Sequence, residues 1–312
     1  MSEATTAFVR PGMAQVSSDR YGRFYEWRND RYFSVTTIIG GGIPKPALIN
    51  WAKKFVADYT LDQWVLLSRK VELMETIEDD DDRASERETI RKWLSDSPYR
   101  DRDKKADLGT LVHDYAEAHT LGKPMPPIPD DAAPFLEQFR QFIDQYEPTF
   151  IAVEAPCLSR EQKYAGTLDA IAEFPTGKFT DRFLATVLGS LDEIDIEQRV
   201  AHLRIRGTVR LLLDWKTSKS GIFPEVGLQL AAYRYADTFL GMPDGSEATM
   251  PEVDGAAAVN LRPEKFTIYP VMTDETIYRT FLYAREVFRF GRDYKKLVLG
   301  EPQATIEKGL DI

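Results

Sequence analysis

A run of leucines that ends abruptly in opposite charges constrains this 312-residue chain more than any other feature. Residues 211–217 read LLLDWKT. This pattern is typical of a buried strand that ends at a functional site. Residues two apart on a strand share a face at about 6.6 Å, so Asp214 and Lys216 point the same way while Trp215 packs behind. A salt bridge at a strand end is the alternative, but it leaves the leucines unexplained.

A second aspartate is predicted in the middle of another strand. Residues 166–171 read GTLDAI, which places Asp169 among apolar neighbours. Aspartate is depleted in strands, and a buried carboxylate needs a partner that a divalent cation would supply. A turn aspartate or a hydrogen-bonded core residue is the alternative. Because 214 − 169 = 45 positions separate the two aspartates, their meeting requires the two strands to pair side by side.

Two further motifs lie on predicted helices. Residues 109–113 read GTLVH. Glycine inside a helix costs about 1 kcal/mol against alanine, so Gly109 indicates a packing or functional reason. Close packing of this helix on the sheet would aim His113 at the carboxylates. Residues 229–233 read QLAAY, so Gln229 and Tyr233 are neighbours on one helical face and can hydrogen-bond a phosphate or a water. A helix histidine with satisfied hydrogen bonds is the alternative for His113, and capping or packing is the alternative for Gln229 and Tyr233.

Hydrophobic periodicity divides the chain into three regions. Residues 1–31 are predicted as a loose arm, residues 32–100 as a mainly helical addition and residues 101–312 as one α/β core with an insertion at about 175–207. The addition begins with a predicted strand over 32–39 that stops at three glycines, and its acidic run at 79–82 is predicted as a solvated loop. The core has predicted helices at 101–120, 132–146 and 224–240, strands at 150–158, 164–174, 208–217, 255–261 and 266–272, and a terminal helix.

Charge and cysteine content exclude several classes of protein. A net charge of −10 argues against a protein that coats DNA, although residues 72–82 carry seven of those negative charges and leave −10 + 7 = −3 for the remainder. One cysteine cannot build a disulfide, a multi-cysteine zinc site or an iron–sulfur cluster within this chain. With no secretory signal and no apolar run of about 18 residues, we expect a cytoplasmic protein without membrane partners.

Taken in order, GTLVH, GTLD, DWKT and QLAAY resemble the successive motifs of the RecB-like branch of the PD-(D/E)XK nuclease superfamily, including phage-encoded and CRISPR-associated members. The resemblance spans roughly residues 104–235. It implies a restriction-endonuclease-like α/β core, a mixed central sheet flanked by helices, with a helical N-terminal addition. The chain departs from the family in its long insertion and in lacking the cysteines of cluster-bearing relatives.

The resemblance also implies roles for individual residues. Asp169, Asp214 and Lys216 would be catalytic, while His113, the two aspartates and the Trp215 carbonyl would hold one or two Mg²⁺ or Mn²⁺ ions. Glu154 is a further candidate ligand, because a hairpin turning near residue 161 brings it close to Asp169. The resemblance implies substrate contacts from Gln229 and Tyr233. Arg102 and Lys105, just before the His113 motif, and Lys219, just beyond the Asp214 strand, are placed to contact the DNA backbone; a solvated, charge-rich helix start is the alternative for Arg102 and Lys105.

We therefore expect a metal-dependent DNA exonuclease that hydrolyses phosphodiester bonds in phage or bacterial recombination, repair or replication. No base-reading motif is evident, so DNA contacts should be to the backbone with little sequence preference, and recombination or replication proteins are expected partners. An endonuclease acting on branched or circular DNA, and a non-catalytic DNA-binding or assembly module on the same fold, are the alternatives.

Overall fold

The computed structural model describes residues 17–189, 193–242, 244–295 and 297–300, without the side chains of residues 102–107 and 193–194. In these residues the chain is an α/β protein with a mixed central sheet flanked by helices, which confirms the predicted architecture at that level. None of the helices described is both long and apolar enough to cross a membrane.

Nine strands form the sheet, and their order is β1-β2-β3-β5-β6-β8-β9, with β4 pairing with β5 and β7. The parallel pairs are β3 with β5 and β6 with β8. The strands are β1 (Ser17–Asp19), β2 (Gly22–Trp27), β3 (Asp30–Ser34), β4 (Thr149–Ser159), β5 (Tyr164–Pro175), β6 (Thr208–Lys216), β7 (Thr238–Phe239), β8 (Gly255–Arg262) and β9 (Lys265–Val271).

Ten α-helices accompany these strands in the described part of the chain. They are α1 (Val35–Gly42), α2 (Pro46–Asp62), α3 (Trp64–Glu75), α4 (Asp80–Ser95), α5 (Ser97–Leu121), α6 (Ala133–Tyr146), α7 (Asp181–Leu188), α8 (Glu193–Arg206), α9 (Glu225–Arg234) and α10 (Glu275–Arg289). A 3₁₀ turn at Thr176–Lys178 and a π-helical turn at Phe290–Tyr294 complete the elements.

Two hydrophobic layers cover the faces of the sheet. Helices α1, α9 and α10 pack on one face, and α5, α6, α7 and α8 pack on the other. Strand β6 alternates between them, since Leu212 joins the first layer while Leu213 and Trp215 join the second. Asp214 and Lys216 have the parity of Leu212, so they face α9, as the period of two predicts.

Strand β5 carries a fork on one of its edges. Strand β4 pairs with β5 from Tyr164 to Glu173 and so occupies one edge. On the other edge, β3 pairs with Tyr164 and Ala165, whereas β6 begins only at Ala170. Neither strand pairs with residues 166–169 on that edge. The two neighbours therefore diverge beside Asp169, and this gap gives side chains access to the centre of the sheet.

The N-terminal part of the described chain differs from the prediction. Residues 17–31, predicted as part of a loose arm, contain β1, β2 and the start of β3. Arg28 and Asn29 adopt positive φ between β2 and β3, as in the tight turns that connect hairpin strands. The strand predicted over 32–39 ends at Ser34, whose hydroxyl accepts a hydrogen bond from the Thr37 N–H and caps α1.

The acidic run is also helical rather than a loop. Asp79 caps α4 by accepting hydrogen bonds from the N–H groups of Asp81 and Asp82. The following aspartates occupy the first helical turn, where the positive end of the helix dipole stabilises negative charge. Later differences are small: the helix predicted over 224–240 is the shorter α9 followed by β7, and the insertion contains α7 and α8.

A close approach of two helix backbones explains Gly42, the last residue of α1. A Cβ atom added to Gly42 would lie 2.1 Å from the Ala284 carbonyl oxygen of α10. We therefore expect Gly42→Ala to destabilise the protein by about 1–3 kcal/mol through overpacking, measured by urea unfolding followed by circular dichroism.

Gly40 provides the matched control for this variant, because an added Cβ would meet nothing within 4 Å. Gly40→Ala should leave stability unchanged or raise it by up to about 1 kcal/mol, since alanine favours helix. Equal effects of the two substitutions would contradict the packing explanation.

Candidate metal centre

Three side chains from three elements converge beside the fork in β5. The Nδ1 atom of His113 on α5 lies 3.0 Å from Glu154 Oε1 on β4 and 3.6 Å from Asp169 Oδ1 on β5. One ligand atom from each residue can be chosen so that all three lie within 4.8 Å of one another. An imidazole and two carboxylates at this spacing could hold a metal ion.

The Asp169 carboxylate is held in place by the neighbouring strand. Its Oδ2 atom accepts a hydrogen bond of 2.7 Å from the Trp215 N–H, just past the last backbone pair between β5 and β6, Ala170 with Leu213. The carboxylate thus replaces a backbone acceptor where the strands diverge. Because Trp215 is itself packed edge-on against Phe139 and Phe142 of α6, the position of Asp169 is coupled to the core.

Glu154 occupies an irregular position on β4. Its backbone has a φ of +45°, a conformation that costs a non-glycine residue on the order of 1–3 kcal/mol and that clusters at functional sites. The pairs on either side are Val153 with Ala170 and Ala155 with Leu168. Glu154 therefore lies across from Asp169, and its irregular backbone accompanies its approach to His113.

Asp214 lies on the adjacent strand outside that group of three. Its Oδ1 accepts hydrogen bonds from Lys216 Nζ at 2.7 Å and from Gln229 Nε2 at 3.0 Å. Its Oδ2 lies 2.6 Å from the same ammonium but receives no directed hydrogen bond, although it is buried. One oxygen of a fully buried carboxylate thus retains acceptor capacity beside the cluster.

The charges of the centre shift one another's protonation. Burial lowers the pKa of His113, but the negative charge of Asp169 and the hydrogen bond to Glu154 outweigh burial and raise that pKa to about 9. Burial raises the pKa of Asp169, and the positive charges of His113 and Lys216 offset only part of the rise. The imidazole is therefore a cation at neutral pH when no ion competes for it.

The second carboxylate and its lysine show the same balance. Burial raises the pKa of Asp214 to about 6, with Lys216 opposing and Asp169 reinforcing the rise. Burial lowers the pKa of Lys216, but Asp214 and Asp169 outweigh it, so the net shift is upward. The buried carboxylates of Asp169 and Asp214, together with the partly buried Glu154, outnumber the two cations, and a divalent cation would neutralise the excess negative charge.

The donor set fits an oxygen-preferring divalent cation. Carboxylate oxygens suit Mg²⁺ and Mn²⁺, and an imidazole is a better ligand for Mn²⁺ than for Mg²⁺. Asp214 Oδ2 keeps acceptor capacity, and the Asp214 carboxylate is close enough to Asp169 and His113 to interact with them electrostatically. The chemistry of these side chains therefore fits a divalent metal ion.

The remaining predicted site residues fall in different surroundings. Gln229 lies beside Asp214, and Lys219 is exposed just beyond β6. Tyr233 is only 3% exposed, and its ring lies against Gly166, where an added Cβ would approach it to 2.3 Å. Tyr233 therefore packs in the core. The side chains of Arg102 and Lys105 lie outside the described residues.

No protein-family model matches the chain, and no curated protein matches it. Its function is therefore inferred from its own residues and their geometry.

Proposed function

We propose that the chain is a divalent-cation-dependent DNA nuclease of the PD-(D/E)XK superfamily, RecB-like branch, that hydrolyses phosphodiester bonds from DNA ends. The observation that carries the proposal is the convergence of His113, Glu154 and Asp169 next to the Asp214–Lys216 pair. These residues come from four separate segments of the sequence, and three of the segments, those of His113, Asp169 and Asp214, carry motifs on which the resemblance rests. The mixed sheet with helices on both faces is compatible with that core.

Each residue of the centre has a distinct task in this proposal. His113, Glu154 and Asp169 would hold the cation, with Asp214 as a further ligand through its available oxygen. When bound, Mg²⁺ or Mn²⁺ stabilises negative charge that develops on the phosphate oxygens. Trp215 N–H orients Asp169.

Lys216 and Gln229 complete the arrangement around Asp214. The Lys216 ammonium, held at 2.6–2.7 Å from both Asp214 oxygens, supplies fixed positive charge next to the reacting phosphate and orients the attacking water. Its side chain is 35% exposed, so it can contact a bound substrate. Gln229 Nε2 steadies the same carboxylate from α9.

The test is cleavage of linear DNA by the full chain with Mn²⁺, with Mg²⁺ and with EDTA. We expect the protein to release nucleotides from DNA ends with either cation and to release none in EDTA. Degradation of covalently closed circles would instead support an endonuclease, and DNA binding without any cleavage would support a non-catalytic module. Either of the last two outcomes would overturn the exonuclease proposal.

Cation uptake should depend on pH because it must displace the His113 proton. With the pKa of the metal-free imidazole at about 9, the protonated form predominates at pH 7 and competes with the ion. We expect the affinity for Mn²⁺ to rise with pH, by roughly tenfold per unit for one displaced proton, and to level off near pH 9.

Calorimetry in buffers of different ionisation enthalpy measures the released proton directly. His202→Gln, an exposed substitution on α8, is the control and should release the same number of protons as the wild type. His113→Gln should abolish the release. An Mn²⁺ affinity that is equal at pH 6.5 and pH 8.5 would contradict a role for His113 as ligand.

A further inference from the structure

One cleft joins the centre to an exposed aromatic surface. A cavity of about 600 Å³ is lined by Lys216 and Gln229 and also by Pro46, Trp51 and Phe223. Its size falls within the ~300–1,000 Å³ typical of ligand pockets. Any group that occupies it lies next to the proposed reacting phosphate, so the walls of this cleft select what the centre can act on.

The walls of the cleft are suited to flat apolar groups. Trp51, near the start of α2, is 36% exposed, and Phe223, in the segment between β6 and α9, is 55% exposed. The Trp51 ring is backed by Phe55, with ring centroids 5.4 Å apart, and Phe55 stacks in turn on Tyr59. The exposed ring is therefore held by a packed row of aromatic residues, which lowers the entropy cost of using it to bind a ligand.

The charges of the cleft do not favour recognition of a phosphate backbone. Its charged lining residues balance, with Lys45 and Lys216 against Asp101 and Glu225, and the whole chain carries −10. A double helix presents its phosphates outward and keeps the faces of its bases stacked, so it gains little from apolar walls. Unpaired bases expose those faces, and stacking on aromatic side chains binds them without regard to sequence.

We infer that the cleft takes a DNA strand with unpaired bases, and that Trp51 and Phe223 stack on bases next to the phosphate at the centre. This inference rests on the proposed function and names its substrate as a single strand or a frayed end rather than a blunt duplex. Trp51 and Phe223 are then specificity-determining residues contributed from outside the metal centre.

Binding measurements in EDTA test the cleft separately from catalysis. Fluorescence anisotropy would compare labelled oligodeoxythymidine with a labelled blunt duplex on the full chain at one fixed salt concentration. The single strand should bind more tightly, and Trp51→Ala and Phe223→Ala should each weaken its binding roughly 5- to 150-fold. Trp51→Phe, which keeps a ring, should retain most of the affinity.

Trp64→Ala is the matched control, since Trp64 on α3 is 60% exposed but does not line the cleft. This variant should bind oligodeoxythymidine like the wild type. Equal or tighter binding of the duplex, or single-strand affinity unchanged in both cleft variants, would overturn the inference.

The same variants distinguish failure of the inference from failure of the proposed function. With Mn²⁺ present, the cleft variants should raise KM for single-stranded DNA and leave kcat near its original value. Cleavage with unaltered KM in both variants overturns the inference and leaves the nuclease standing. Tight, Trp51-dependent binding without any cleavage supports the cleft and overturns the nuclease proposal.

Discussion

Asp169→Asn and Asp214→Asn should each lower the rate of DNA cleavage by about 10³-fold or more, because bound metal supplies several kcal/mol of charge stabilisation and each 1.4 kcal/mol is about tenfold in rate. The amide is nearly isosteric, so its oxygen can still accept the Trp215 N–H at position 169 and the Gln229 amide at position 214. Burial raises the pKa of Asp214 to about 6, so the folded protein disfavours the ionised carboxylate relative to water, and a neutral amide is tolerated at this position. The loss should therefore fall on cation binding and catalysis rather than on folding.

Single-turnover cleavage of labelled DNA measures this loss, and thermal unfolding of the same samples verifies the fold. Asp144→Asn, on an exposed position of α6, is the control and should cleave at the wild-type rate. Mn²⁺ should raise the melting temperature of the wild type and not that of Asp169→Asn, since a ligand stabilises only the state that binds it. Full activity in either active-site variant would refute the proposed centre.

Lys216→Met should reduce kcat by about 10²–10³-fold, as when one preorganised electrostatic group is removed. The variant keeps the length of the side chain and discards its charge. Because Lys216 opposes the cation electrostatically and is not a ligand, the Mn²⁺ affinity should be retained. This combination, a low kcat with intact cation uptake, separates the lysine from the carboxylates.

Lys219→Met is the matched control for the lysine, since Lys219 lies three positions further on and is exposed. It should leave kcat unchanged and at most weaken DNA binding through loss of a backbone contact. Lys216→Arg should remain impaired, because the longer, planar guanidinium spreads its charge and places it differently from the compact ammonium that lies 2.6–2.7 Å from the Asp214 oxygens. A kcat equal to that of the wild type in Lys216→Met would remove the lysine from the mechanism.

The placement of Asp214 and Lys216 could be predicted because it depends on local periodicity. A strand has a repeat of two, so residues 211–217 alone indicate that both charges share a face. The predicted strand over 208–217 corresponds to β6, Thr208–Lys216, and the predicted helix over 132–146 corresponds to α6, Ala133–Tyr146. In each of these two segments, the intrinsic propensity of the residues, the hydrophobic periodicity and the burial all indicate the same element, a strand in the first and a helix in the second.

The position of Glu154 could not be settled in the same way. Its distance from Asp169 depends on the register between β4 and β5, and a shift of one residue changes the face that a side chain occupies. The positive φ of Glu154 is a tertiary property with no sequence signature in a glutamate. The hydrogen bond from Trp215 N–H to Asp169 likewise has no local signal, because backbone donors are common to almost all residues.

The errors near the N-terminus have local causes. Residues 35–39 are rich in β-branched side chains, and this strand propensity concealed the Ser34 cap that starts α1. Residues 22–34 contain two aromatic-rich runs separated by Arg28 and Asn29, a hairpin signal that was available in the sequence. The Ser34 cap thus overrides local strand propensity at the start of α1, and the turn at Arg28 and Asn29 makes residues 22–34 a hairpin.

The sheet around the fork in β5 brings the three carboxylates of the centre together before a cation binds. Carboxylates that lie close together repel one another, and an unfolded chain would keep them apart. In the folded protein, Glu154, Asp169 and Asp214 are fixed on three neighbouring strands of one sheet. The free energy of folding therefore offsets the repulsion between these carboxylates before a cation binds. The repulsion raises the free energy of the metal-free protein, and a bound cation relieves it, so the relief adds to the free energy of cation binding.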